Sequence, residues 1–358
     1  MVGSPAPDPA FWSGRRILLT GHSGFKGAWA ALWLQQLGAE VHGLALAPDT
    51  DPSLWREAGA GVLASEQICD IADAAATRRA IDAVRPELVL HMAAQALVRR
   101  GYAQPLQTFA TNIMGTAHVL DALRQADRVK AALIVTTDKV YANAGAARDF
   151  VEDDRLGGHD PYSASKAAAE LVTQSFAASF FAPRGVAVAS ARAGNVVGGG
   201  DWSEDRLVPD LWRARRDGVP LMLRSPQATR PWQHVLEPLV GYLLYLEALA
   251  KGERVPPALN FGPLPGAPMS VAAVAKALAE ALGVAHDWQP DGTDHPAEMP
   301  WLSIDPTLAG KALGWTPRLG ARETIDWTAR WYDRHRRGGD ARTLCLSQIQ
   351  EYETILTA

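Results

Sequence analysis

R-R-I-L-L-T-G-H-S-G-F-K-G, residues 15–27, decides the fold. Its first half is a short apolar run of the kind that forms a buried strand. Its second half is a glycine turn, G-x-x-G-x-x-G at Gly21, Gly24 and Gly27. From there Phe25, Ala28, Trp29 and Leu32 recur at helical spacing, until Gly38 stops the helix predicted over 25–37. Strand, glycine turn and helix in this order give the glycines meaning. They let the backbone approach a pyrophosphate, and the helix N-terminus offers unpaired N–H groups and a partial positive charge. A tight turn without any ligand has the same spacing, so the rest of the chain must decide.

Working outward, strand and helix signals alternate. Strands are expected at 40–46, before Asp70, at 87–93, 131–137 and 185–192, and helices at 73–84, 106–123 and from Asp160-Pro161 to about Phe181. Repeated β-α-β units with apolar strands imply an α/β fold with a doubly wound parallel sheet. After about residue 195 the texture changes to glycine, tryptophan, arginine and proline, with helices again at 235–250 and 270–283. We expect residues 1–194 plus about 231–262 to form a dinucleotide-binding domain. About 195–230 plus 263–358 would form a smaller, mainly C-terminal α+β lobe over the carboxyl ends of the strands, where open α/β sheets bind ligands.

Composition narrows the class. The 358 residues carry a formal charge of −4, with no basic excess to suggest nucleic acid. The N-terminal stretch has no signal pattern, and no apolar run reaches the roughly 20 residues of a membrane span. Cys69 and Cys345 lack metal-ligand spacing and fit a reducing compartment, so a cytoplasmic protein with no metal is expected. Only 7 of the 35 basic residues are lysines, so a lysine inside a motif carries weight.

The second predicted strand lacks the usual terminal acid, although Asp49 and Asp51 follow and could serve a ribose. No arginine stands there for a 2′-phosphate, which favours NAD over NADP. Asp70 either reaches the adenine side or caps the helix at 73–84. H-M-A-A-Q, residues 91–95, ends its strand in small residues that allow a flat ring to pass, and Gln95 adds an amide. The cofactor set is Gly21, Gly24, Phe25, Gly27, Asp70, Ile71, Ala93, Ala94 and Gln95, with Tyr162 and Lys166.

Tyr162 and Lys166 form Y-x-x-x-K, one turn apart on one helix face. An ammonium there would lower the tyrosine pKa and hold a ribose, so that the phenol accepts a proton from a sugar hydroxyl. With 7 Tyr and 7 Lys in the chain, chance supplies about 0.14 such pairs. An ordinary amphipathic pair is the competing reading.

T-G-H-S-G-F-K-G, H-M-A-A-Q, T-N-I-M-G-T at 111–116 and Y-x-x-x-K together resemble the extended short-chain dehydrogenase/reductase family, in its nucleotide-sugar dehydratase and epimerase group. Within it, F-W-S-G-R-R, T-T-D-K-V-Y, G-G-H-D-P-Y-S-A-S-K, the long motif from Arg192 to Asp210 and R-P-W-Q-H-V-L-E-P-L are similar to the branch that dehydrates CDP-glucose. R-R-G-Y-A-Q-P at 99–105, the shorter loop at 142–153 and H-P-A-E-M-P-W at 295–301 differ from that branch.

The resemblance implies a Rossmann-like fold, NAD and a homodimer paired through helices 106–123 and 161–181. It also implies oxidation at C4 of the glucose unit, loss of water across C5–C6 and hydride return to C6. Tyr162, Lys166 and Thr137 would serve the oxidation. Asp138 would be the acid for the departing 6-hydroxyl, which asks for a raised pKa. Lys139 would be the C5 base or a stabiliser of the enolate. Asn195, Arg206 and Arg230, with Thr137, would hold the substrate. Trp202 and Trp232 are expected in lobe packing or beside the ligand. A 4-epimerase or a reductase on the same fold, a dehydratase for another nucleotide sugar and a non-catalytic NAD-sensing protein are the alternatives. Asp138-Lys139 speaks against the epimerase, and the joint presence of Thr137, Tyr162 and Lys166 against the sensor.

Overall fold

β1 (Arg16–Thr20), β2 (Glu40–Ala45), β3 (Ser65–Ile68), β4 (Leu88–His91), β5 (Ala131–Val135) and β6 (Ala187–Ala193) form one parallel sheet with a seventh strand, Ala258–Phe261. The order across it is Ala258–Phe261, β6, β5, β4, β1, β2, β3. This computed structural model describes residues 5–143, 145, 148–263, 269–283, 288–292 and 302–358. The segment 295–301 and Ala144, Ala146 and Ala147 of the 142–153 loop therefore lie outside the described residues, apart from which the loop is seen. The order reverses at β1, between β2 and β4, and such a reversal opens a crevice above the strand ends. β4 and β5 are buried at every position, as strands covered on both faces must be.

Several elements depart from expectation for visible reasons. The helix Phe25–Gln36 has no polar face over Gly27–Leu34, which are all buried. It is enclosed by the sheet on one side and the C-terminal helix Ala341–Thr357 on the other, where Trp33 Nε1 donates to Glu353 Oε1 at 2.7 Å. The stretch 106–123 contains a π-helical turn, Ala110–Met114, between the helices Pro105–Phe109 and Gly115–Leu123. There the buried Asn112 side chain accepts from Gln95 N at 2.8 Å and donates to Ser165 Oγ at 2.8 Å. π turns of this kind are common next to functional sites.

β5 stops at Val135, two residues earlier than expected, because the next residues turn their polar groups elsewhere. Thr136 Oγ1 donates to Glu170 Oε1 at 2.6 Å. Thr137 Oγ1 caps a 3₁₀ turn over Asp138–Val140 by accepting from Lys139 N at 3.4 Å. The helix from Pro161 is α-helical to Phe176 and π-helical over Ala177–Phe181. The sequence did not announce the helices Ala321–Arg336 and Ala341–Thr357; the first packs on the region after β6 through Trp331, whose ring fills the space beside Gly199.

Candidate active site

All the residues singled out from sequence line one cleft of about 1700 Å³ at the carboxyl ends of the strands. The glycine turn forms one wall. Gly21 has φ +78°, and a Cβ there would lie 2.7 Å from Ala93 N; one at Gly27 would lie 2.0 Å from Gly21 O. No side chain fits at either place. Gly24 begins the helix Phe25–Gln36 without a side-chain cap, so its first N–H groups remain open to an anion. Thr20 Oγ1 accepts from Met92 N and Ala93 N, both at 3.1 Å, and so holds the 91–95 segment against the turn. The chemistry of these residues fits a dinucleotide pyrophosphate.

Around the cofactor wall, three expectations are corrected or refined. Asp70 does not cap the following helix; Asp73 does, accepting from Ala76 N. Asp70 accepts instead from Ala72 N at 2.9 Å and lines the cleft beside Ile71. Asp49 is engaged by Arg100 at 3.0 Å, while Asp51 stands exposed near Arg56. The Gln95 side chain is committed to Thr108 Oγ1 at 2.9 Å and Leu97 N at 2.6 Å, so it holds a loop rather than offering a free amide.

The chemistry-bearing groups gather where β5 ends. Lys166, on the helix Pro161–Phe176, donates through Nζ to Val135 O at 2.9 Å. Burial lowers its pKa to about 8, with the Glu170 carboxylate opposing the shift. Burial raises the pKa of the Tyr162 phenol, while hydrogen bonding by the Thr137 hydroxyl and the charge of Arg206 favour the phenolate. In the structure the single Thr137 hydroxyl proton is donated to Asp138 Oδ1 at 3.0 Å. Asp138 is 1% exposed, and its Oδ2 has no hydrogen-bond partner among the described residues. Burial pushes its carboxyl up, against the pull of Lys139, Thr137, Arg230 and Lys26. A carboxyl raised in this way can donate a proton at a pH where an exposed one cannot. Lys139 is half-buried and faces the cleft. Asn195, Arg206 and Arg230 line the cleft beyond it, as do Trp202 and Trp232.

Two features escaped the sequence reading. Lys26 lines the cleft with its Nζ 5.6 Å from the centre of the Tyr242 ring. Burial, with Arg206 and Lys166 nearby, lowers its pKa to about 7, and Asp138 opposes this. Lysine scarcity was the available signal, since Lys26, Lys139 and Lys166 all line the cleft. The second feature is a buried ion pair, Glu170–Arg192 at 2.9 Å, which lies behind the end of β5. Its members are 22 residues apart in sequence and are joined only by folding.

Residues 17–262 match the family model described as the NAD dependent epimerase/dehydratase family. The chain is 41% identical to CDP-glucose 4,6-dehydratase of Salmonella typhimurium, over 98% of this chain and 99% of that protein. It is 29% identical to a dTDP-glucose 4,6-dehydratase of Xanthomonas campestris, over 74% of this chain and 77% of the other. Among solved structures, DesIV, a dTDP-glucose 4,6-dehydratase of Streptomyces venezuelae with NAD and TYD bound, superposes with a TM-score of 0.76 at 25% identity, covering 90% of this chain and 98% of that one. With a glycine turn that fits a dinucleotide, a Y-x-x-x-K pair at the end of β5 and this extent of similarity, the chain belongs to the NAD dependent epimerase/dehydratase family.

Proposed function

We propose that this protein dehydrates CDP-glucose to CDP-4-keto-6-deoxyglucose in an NAD-dependent reaction without net redox change. The observation that carries the reading is the buried Asp138, its carboxyl pushed up by burial, set beside Lys139 and Thr137 at the end of β5 in the cleft that Tyr162 and Lys166 also line. Oxidation at C4 alone, or epimerisation, has no use for a proton donor beside the departing 6-hydroxyl. The near full-length similarity to the Salmonella typhimurium enzyme supports the same substrate.

Bound NAD supplies the acceptor and later the donor of the hydride. Gly21, Gly24, Phe25, Gly27, Asp70, Ile71, Ala93 and Ala94 would hold it, with Gln95 shaping the loop beside them. Tyr162 takes the proton of the 4-hydroxyl, and Thr137 positions that oxygen. Lys166, as an ammonium, favours the phenolate. The 4-ketone acidifies the C5 proton, which Lys139 removes, or whose enolate a charged Lys139 stabilises. Asp138 protonates the departing 6-hydroxyl. Arg206 and Arg230 pair with the diphosphate through their planar guanidinium forks, and Asn195 adds an amide.

The proposal includes the division into residues 1–194 plus about 231–262 and a substrate lobe from the rest; the pairing of Ala258–Phe261 with β6 supports it. It includes a cytoplasmic homodimer. Leu106, Met114, Leu171 and Phe180 are exposed apolar residues along the two helical stretches 105–123 and 161–181, which supports a partner on that face.

The test is incubation of the purified protein with CDP-, dTDP- and UDP-glucose, read by NMR. We expect a 4-keto-6-deoxy product from CDP-glucose, and at least tenfold slower turnover of the other two. Inversion at C4, or preference for dTDP- or UDP-glucose, would overturn the assignment.

A further inference from the structure

One guanidinium joins three segments that the chain keeps far apart. β2 and β4 are the two neighbours of β1, whose carboxyl end carries the glycine turn. Asp49 follows β2, and Arg100 follows β4, on the helix Val98–Ala103. Arg100 Nη1 donates to Asp49 Oδ2 at 3.0 Å, so this contact spans the crevice above β1 from one rim to the other. Arg100 Nη2 donates to Glu204 Oε1 at 2.9 Å and so reaches the region after β6. Beside it, Arg99 Nη1 donates to Asp205 Oδ1 at 2.8 Å. All five residues line the cleft.

We propose that Arg100, with Asp49 and Glu204, is a strap across the dinucleotide crevice that retains the cofactor between the two hydride steps. The proposal rests on the cofactor part of the functional reading and not on the choice of sugar. The chemistry gives the strap its use. The hydride taken from C4 must return to C6 of the same sugar, so loss of the reduced cofactor midway would strand a 4-ketone.

Each end of the strap has its own anchor. Arg56 donates to Pro48 O at 3.0 Å and to Thr50 O at 3.2 Å, on either side of Asp49. Gln95 Oε1 accepts from Leu97 N at 2.6 Å, at the foot of the helix that carries Arg100. Arg213 donates to Trp202 O at 3.1 Å and to Ser203 O at 2.8 Å, just before Glu204. Three anchored segments therefore meet at one side chain. The planar guanidinium fork can serve two carboxylates at once, which the single charged point of a lysine does poorly. The strap can also open. The side chains of Arg100, Asp49 and Glu204 are 37%, 66% and 61% exposed, so water and salt compete for them. Contacts of this kind slow escape without sealing the cofactor in.

The experiment measures release of NADH from the loaded protein. Fluorescence is followed after mixing with excess NAD, with no nucleotide sugar present. The unaltered protein is compared with Arg100→Gln, with Arg100→Lys and with the double variant Asp49→Asn/Glu204→Gln. We expect Arg100→Gln and the double variant to release NADH about three- to tenfold faster at low ionic strength. Arg100→Lys should fall between them and the unaltered protein. In about 1 M salt the ratio of variant to unaltered rate should shrink towards one, because exposed ion pairs are screened there. Equal release rates at low salt, or a ratio that persists at high salt, would overturn the strap and leave the dehydratase reading standing. That reading fails separately, if the unaltered protein makes no 4-keto-6-deoxy product from CDP-glucose.

Discussion

Two sets of ion pairs flank the cleft, and they are built in opposite ways. Behind the end of β5, Glu170 and Arg192 are buried, at 0% and 2% side-chain exposure. Glu170 accepts from Thr136 Oγ1 and Ser190 Oγ, both at 2.6 Å, and from two Arg192 nitrogens at 2.9 Å. Arg192 also donates to Tyr141 OH at 2.8 Å. Burial alone would raise the Glu170 pKa, but Arg192 and the two hydroxyls hold it below the usual carboxylate range. This network ties β5, β6 and the helix Pro161–Phe176 together, and those elements carry Thr137, Asp138, Tyr162 and Lys166.

On the opposite wall, the segment Asp201–Arg206 is fastened from outside. Arg99 meets Asp205 at 2.8 Å, and Arg100 meets both Asp49 at 3.0 Å and Glu204 at 2.9 Å. These side chains are about a third to two thirds exposed. The contrast separates two tasks. The wall that would do proton chemistry needs its groups fixed, and the ion pair behind it is buried and fully committed. The wall that would grip a nucleotide sugar is joined by contacts that water and salt can exchange.

The largest expected effect lies in the buried network. Arg192→Leu leaves Glu170 without its cation and should cost about 3–5 kcal/mol of stability in denaturant unfolding. A loss below 1 kcal/mol would erase the contrast. Replacing both partners with apolar residues should cost less than removing Arg192 alone.

Next come the residues that the network positions. Asp138→Asn should slow water loss by about 10²–10⁴-fold while C4 oxidation persists. Lys139→Met should oxidise C4 and stall before elimination; normal exchange of the C5 proton with solvent in that variant would remove Lys139 as the base. Lys166 sharpens the same point through pH. Its pKa is lowered to about 8, so the ammonium is present below that pH and lost above it. The rate of C4 oxidation should therefore fall as pH rises through about 8, and a flat profile up to pH 10 would count against an ammonium role. The smallest effect belongs to the outer wall: Arg100→Ala should change stability by about 0–1 kcal/mol, and any effect on substrate affinity should shrink at high salt.

The same contrast explains what the sequence could tell. The glycine turn and Y-x-x-x-K are local patterns that spacing could find, whereas T-T-D-K takes its meaning from the family resemblance. Asp49 shows the limit: its partner, Arg100, lies 51 residues away, and no local pattern links them. Glu170 and Arg192 sit inside otherwise apolar or alanine-rich stretches and meet only when helix and sheet pack. The strand Ala258–Phe261 was missed because it is short and contains Asn260, a polar residue that is fully buried. Its side chain is satisfied by Tyr141 OH and Phe150 O, contacts invisible in one dimension. Thr136 and Thr137 read as the end of a strand because threonine favours strands, yet their hydroxyls bond to Glu170, Lys139 N and Asp138 and end it.

The central claim is that one cleft oxidises C4, eliminates water and returns the same hydride to C6. Turnover of CDP-glucose carrying deuterium at C4, followed by NMR and mass spectrometry of the product, tests it most directly. The account predicts a 4-keto-6-deoxy sugar with the deuterium at C6. An epimerised sugar with the label still at C4 would contradict it.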